Sequence, residues 1–165
     1  MTPIIIALLL YLQPATDERR DEIVDVGQAI EAAAELSGFD PFDLAALVVR
    51  ESRGRVDVVG KRGECGPAQV MGWHLRPRMT CDELKTADGG MLGAVRALQQ
   101  WARAGHEDVW ACFASGNICR AARSERRRFR IRAKLRHLAA TYYAAAATRA
   151  AHDIAARGSG FLTGL

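Results

Sequence analysis

The sequence predicts a mostly α protein of one domain, with at most a small irregular β-hairpin. Composition, the spacing of apolar residues and chain length carry that expectation. Alanine is abundant and aromatics make up only 7% of the residues, a balance that favours helix over sheet. Apolar residues recur at helical spacing in several stretches and do not alternate as they would along half-buried strands. Glycines and capping residues punctuate those stretches. The third observation is size: 165 residues, 49% of them apolar, suffice for a single core, and the chain contains no internal repeat.

The elements follow in order. The stretch from Ile4 to Leu12 is apolar but too short to cross a hydrocarbon layer of about 30 Å as a helix. It has the character of an export h-region, although no Lys or Arg precedes it and no clean small-x-small cleavage site follows. Residues 1–16 therefore read as an apolar segment, a signal or an anchor, with a linker from Gln13 to Thr16; a simple buried segment is the alternative. Residues 17–157 read as the domain, and 158–165 as a flexible tail containing glycines. Thr16 or Asp17 can cap a helix to about Leu36 that presents Ile23, Val26, Ile30 and Ala33 on one face, ended by Gly38. Asp40 followed by Pro41 starts a second helix reaching about Ser52, with Gly54 as its stop signal.

Residues 55–66, with valines, glycines and charges, suit an irregular loop or short hairpin, and a short helix is expected from Pro67. Thr80 and Glu83 have capping-box spacing for another turn or two. From Gly90 to Ala104, Leu92, Val95, Leu98 and Trp101 recur at helical spacing, closed by Gly105. Asp108 begins a short helix to about Ala114, broken by Ser115, Gly116 and Asn117, and a long helix, first Arg-rich and then Ala-rich, runs from about Ser124 to Arg157.

A net charge of +4 conceals an uneven distribution. Residues 120–136 carry Arg120, Arg123, Arg126, Arg127, Arg128, Arg130, Arg132, Lys134 and Arg136 against one acid, Glu125, which leaves 14 basic and 18 acidic residues for the rest of the chain. Such a block fits an anionic wall polymer or a membrane surface, with nucleic acid the less favoured partner; a solvated helix face is the plain alternative. Cys65, Cys81, Cys112 and Cys119 match neither a CxxC motif nor a zinc knuckle. Pairing 65 with 81 and 112 with 119 would close two short loops, each worth roughly 2–3 kcal/mol, while four reduced thiols are the alternative. His74, His106, His137 and His152 are dispersed without HExxH spacing, and the chain has no P-loop and no G-x-S-x-G, so no metal or cofactor is expected. Of Trp73, Trp101 and Trp110, any could stack on a sugar, but two sit at core spacing.

One residue breaks the apolar pattern. In LAALVVRESRG, residues 44 to 54, Glu51 follows Leu47 by four positions and Val48 by three, so its carboxyl emerges on the core-facing side of the helix. Burial and the negative helix C-terminus both favour a retained proton, as a general acid requires. An ordinary ion pair with Arg50, Arg53 or Arg55 is the competing reading.

Glu51 and Ser52, a glycine-bearing loop, and then GPAQVM from Gly66 to Met71 resemble the lytic transglycosylase and goose-type lysozyme superfamily, whose pattern is an ES pair, a variable loop and G-L-M-Q. Gly66 and Gln69 match the ends of the last motif; Pro67 and Ala68 replace its middle. Phe113 to Gly116 stand at the family's Y-N-A-G positions, and ERRRFRIRAKL from Glu125 is similar to its E-T-x-x-Y-V segment, with Phe129 at the tyrosine. The resemblance covers roughly residues 25 to 143. Phenylalanine replaces tyrosine twice, and Ala114 replaces asparagine.

The resemblance implies a lysozyme-like fold and a peptidoglycan lytic transglycosylase that cuts the β-1,4 bond between N-acetylmuramic acid and N-acetylglucosamine and leaves a 1,6-anhydro end. Glu51 would serve as acid and then base, with Ser52, Gly66, Gln69, Phe113, Gly116 and Phe129 binding substrate. Peptidoglycan glycan strands would be the partner, in the cell envelope or periplasm or on a phage virion. Two readings stand beside it: a hydrolytic lysozyme using Asp57 or Glu64 as a second acid, and a non-catalytic wall- or polyanion-binding structural protein.

Overall fold

The computed structural model describes residues 2–12, 16–116, 119, 120 and 122–159. The linker expected at 13–15, Asn117 as a helix breaker, and residues 160–165 of the tail lie outside them. Among the described residues the chain forms seven α-helices and no strand, the mostly α architecture that the helical spacing predicts.

The first helix, α1 (Thr2–Leu12), places Ile4, Ile5, Leu8 and Leu9 in the core and packs on α2 (Asp17–Ser37). The apolar opening is thus a core helix in this fold, and no helix of the described residues is long and apolar enough to cross a membrane. In α2 the expected stripe is buried at Ile23, Val26 and Ile30, and the helix ends where the Gly38 N–H donates to the Ala34 carbonyl. Helix α3 (Pro41–Glu51) starts with the Asp40 carboxylate accepting the Phe42 N–H at 2.8 Å. Its residues from Asp43 to Val48 are all buried, because α1, α2 and the last helix surround it.

The segment from Ser52 to Met71 is irregular, held by isolated bridges of Cys65 with Val59 and with Val70. No helix follows Pro67. Cys65 and Val70 exchange backbone hydrogen bonds at 2.9 and 3.0 Å, which turns the chain back within four residues, and only a single 3-10 turn, Gly72–His74, comes after it. Gly66 makes this turn possible: its φ is +78°, and a Cβ there would stand 1.9 Å from the Leu84 carbonyl oxygen. The disulfide Cys65–Cys81 pins the turn to α4 (Cys81–Leu84), whose capping box of Thr80 and Glu83 forms as expected.

Helix α5 (Ala87–Arg103) begins three residues before Gly90 because the Thr86 hydroxyl accepts the Gly89 N–H. It buries Met91, Ala94, Val95 and Leu98, whereas Leu92, expected on that face, is 45% exposed. The reason is the glycine side of the helix: Gly90 lies against Pro67 and Gly93 against Leu84, and this close approach turns Leu92 outward. Short α6 (Val109–Ser115) is joined through the disulfide Cys112–Cys119 to the chain leading into α7 (Ala122–Ser159). Helix α7 packs on α3 as far as Ala139; beyond it Tyr142 and Tyr143 are about half exposed.

Candidate active site

Helices α3 and α7 run antiparallel, and their seam is a ladder of opposite charges. Arg136 pairs with Asp40 at the start of α3. One turn on, Asp43 accepts from Arg132 at 3.0 Å and from Arg128. Arg128 also donates to Glu125 at 2.7 and 3.0 Å, Glu125 accepts from Arg50 at 3.4 Å, and Arg50 donates to Glu51 at the end of α3. Arg128 is 2% exposed, Glu125 6% and Asp43 8%, so the middle of the ladder is sealed from water. Such charges persist in a core only when each is paired. The face of Trp110 lies 4.3 Å from the Arg128 guanidinium carbon and closes that side.

Glu51 is therefore met by a guanidinium and not by apolar walls, which is the ion-pair alternative read from its spacing. Its side chain stays 27% exposed, and Arg50, itself fixed to Glu125, holds the carboxylate in place. Ser52 is buried, and its hydroxyl donates to the Val48 carbonyl at 3.3 Å, closing the helix end. Both arrangements follow from α3 stopping here: Arg53 and Gly54 adopt positive φ and redirect the chain.

A cleft of about 460 Å³ opens between the irregular segment, α5 and the end of α6. Gln69, Phe113 and Gly116 line it, together with Glu64, His74 and Trp101. The structure thus brings three of the sequence candidates into one cavity. Glu51, Ser52, Gly66 and Phe129 are not among its lining residues. Gln69 has a structural duty as well, since its amide donates to the carbonyls of Val58 and Gly66, each at 3.0 Å, and holds the turn. Phe129 sits on α7, 45% exposed, with the guanidinium carbons of Arg128 and Arg132 at 4.6 and 4.7 Å from its ring centre. A wider hollow of about 770 Å³ along α2 and the start of α3, lined by Glu31, Glu35 and Phe39, holds none of the candidates.

Glu64 is the acid of the cleft. Burial pushes its carboxyl up, but hydrogen bonds from backbone N–H groups, the Arg62 N–H at 2.9 Å among them, and the Arg62 guanidinium outweigh burial and hold it below the usual carboxylate range. An ionised carboxylate at that position can accept a proton from water.

The sequence pattern did not mark every residue that shapes the ladder and the cleft. Asp43, one acid in the first turn of α3, anchors the ladder, and Trp101, one of three tryptophans that could stack on a sugar though placed at core spacing, walls the cleft. A signal existed: Asp43, Leu47 and Arg50 share one face of α3, and Glu125, Arg128, Arg132 and Leu135 one face of α7. The basic block divides accordingly. Arg128, Arg132 and Arg136 are paired with acids of α3, while Arg120, Arg123, Arg126, Arg127, Arg130 and Lys134 are exposed.

Compared with family models, curated proteins and solved structures, the chain matches none.

Proposed function

We propose that the protein is a peptidoglycan lytic transglycosylase in which Glu51 is acid and base. The observation that carries this reading is the carboxyl fixed at the end of α3. Asp43 and Glu125 are sealed inside the ladder, whereas Glu51 is held by Arg50 and still open to solvent. A rigid, reachable carboxyl is what proton transfer to a bound glycan needs. Glu51, once it has taken a proton from solvent, gives that proton to the glycosidic oxygen as the bond to C1 breaks. The 6-hydroxyl of the muramic sugar then attacks C1, and its proton returns to Glu51, closing the anhydro ring. Arg50 stabilises the carboxylate that exists between the two transfers. One carboxyl suffices because the nucleophile belongs to the substrate.

Glu51 does not line the cleft, so a glycan reaching it would have to extend beyond the cavity, in which Phe113 and Trp101 offer ring faces and Glu64 and His74 offer polar groups. A second reading is favoured by one observation, that the carboxylate lining this cleft is Glu64. A hydrolase would use it to activate water opposite the acid.

The test is mass spectrometry of fragments released from peptidoglycan by the full chain and by its Glu51→Gln and Glu64→Gln variants. Anhydro ends from the parent and from Glu64→Gln, lost in Glu51→Gln, are the expected result. Reducing ends that vanish with Glu64→Gln would replace this reading by hydrolysis. No release by a folded parent would leave neither, and the exposed arginines of α7 would then be assayed for polyanion binding.

A further inference from the structure

Outside the Glu51 ladder, one side-chain cluster is built from metal-binding groups. The Cys112 and Cys119 sulfurs and a ring nitrogen of His106 all lie within 4.8 Å of one another, although the residues come from α6, from the segment before α7 and from the α5–α6 loop respectively. In the structure the two sulfurs form a disulfide. His106 Nδ1 stands 3.6 Å from the Cys119 sulfur, and its ring is held edge-on against Trp101, with centroids 5.3 Å apart. The His106 N–H donates to the Trp101 carbonyl at 3.2 Å, which fixes the backbone that carries the imidazole.

We propose that this cluster is a redox-gated zinc site: oxidised, it is a disulfide that ties down the cleft wall; reduced, its two thiolates and His106 bind one Zn²⁺. Zinc takes sulfur at about 2.3 Å and imidazole nitrogen at about 2.0 Å in a tetrahedron. The sulfur-to-nitrogen edge of that tetrahedron is about 3.6 Å, the separation that His106 and Cys119 already have. The sulfur-to-sulfur edge is about 3.8 Å, so the disulfide must break and its sulfurs part, with the Cys112 sulfur, now within 4.8 Å of the His106 nitrogen, settling at the third corner.

The chemistry balances with a dithiol as the reductant. Two electrons and two protons pass from the dithiol to the Cys112–Cys119 bond, giving two thiols and a new disulfide on the reductant; Zn²⁺ then displaces the two thiol protons. Three protein ligands leave one tetrahedral position for water or another ligand, as in open zinc sites. That position adjoins the cleft, because Cys112 itself lines it and Phe113 to Gly116 continue its wall. The state of the cluster would thus set how the wall is held. The other disulfide, Cys65–Cys81, has no such imidazole beside it among the described residues. The proposal does not depend on the glycan reading, and its test reads metal and not activity.

The experiment uses the full chain, reduced with a metal-neutral phosphine and titrated with Zn²⁺ against a chromophoric chelator, with helical content followed by circular dichroism. The reduced, helical protein is expected to bind one equivalent, the oxidised protein none, and His106→Ala about tenfold more weakly or worse. Co²⁺ in place of Zn²⁺ should give tetrahedral d–d bands with thiolate charge transfer. Zinc should shield Cys112 and Cys119 from alkylation while leaving Cys65 and Cys81 reactive, a readout that needs no variant to fold. Absence of binding by the reduced protein, shielding of Cys65 and Cys81 instead, or binding only after the helical signal is lost would each overturn the proposal.

Discussion

Where α2 packs against α1 on one side and α5 on another, the core is closed by Ile5, Leu9, Ile23, Ile30 and Leu98, without a charge among them. The seam between α3 and α7 is closed by Asp43, Arg50, Glu125 and Arg128, all buried or nearly so. The two regions both exclude water at their centres but tolerate change differently. Apolar contact is non-directional, and a neighbour of similar volume can replace a lost one. Each member of the charged seam depends on a specific partner, and removing it strands a charge that water cannot reach. The seam also ends in Glu51, so the costlier region is the one that fixes the candidate acid.

The largest expected effect comes from breaking the seam. Arg128→Ala leaves Asp43 and Glu125 buried with fewer partners and should cost about 3–5 kcal/mol in denaturant unfolding. Arg130→Ala, on the exposed side of α7, should stay within about 0.5 kcal/mol; similar losses for the two would refute the contrast between seam and surface. Next comes the apolar side. Leu98→Ala should cost about 3 kcal/mol yet leave glycan cleavage by the folded fraction intact, and a fall in cleavage beyond the unfolded fraction would mean that the regions are coupled.

The smallest effect concerns pH and the cleft acid. The Glu64 carboxyl is held below its ordinary value, so its stabilising contribution is complete above the unfolded-state value of about 4.3. That contribution is lost as pH falls through the lower folded-state value. The stability gap between parent and Glu64→Gln should therefore be open at neutral pH and close in acid. A gap that does not change with pH would show that Glu64 acts through packing and not through its charge.

How much of this was legible can be judged residue by residue. The stripe Ile23, Val26, Ile30 and the caps at Asp40 and Thr80 were readable because a helix repeats every 3.6 residues and its ends need local partners. The two short loops 65–81 and 112–119, which the sequence offered beside four reduced thiols, are the ones that the disulfides close. The helix after Pro67 was misread because an exchange of hydrogen bonds between Cys65 and Val70 outweighs local propensity. Leu92 was misplaced because its neighbours Gly90 and Gly93, not the larger side chains, make the close contacts of α5.

Composition and local spacing were enough for the mostly α class, the capped helix starts at Asp40 and Thr80 and the position of Glu51 at a helix end, since each depends on residues within a turn or two of one another. Packing was needed to bring Asp43 to Arg128 across 85 residues, to let Arg50 link Glu51 to Glu125, and to turn Glu64 toward the cleft. Local periodicity tells which face of a helix is buried. It does not tell what that face is buried against, and a charge in a core is acceptable only once its partner, distant in the chain, has arrived.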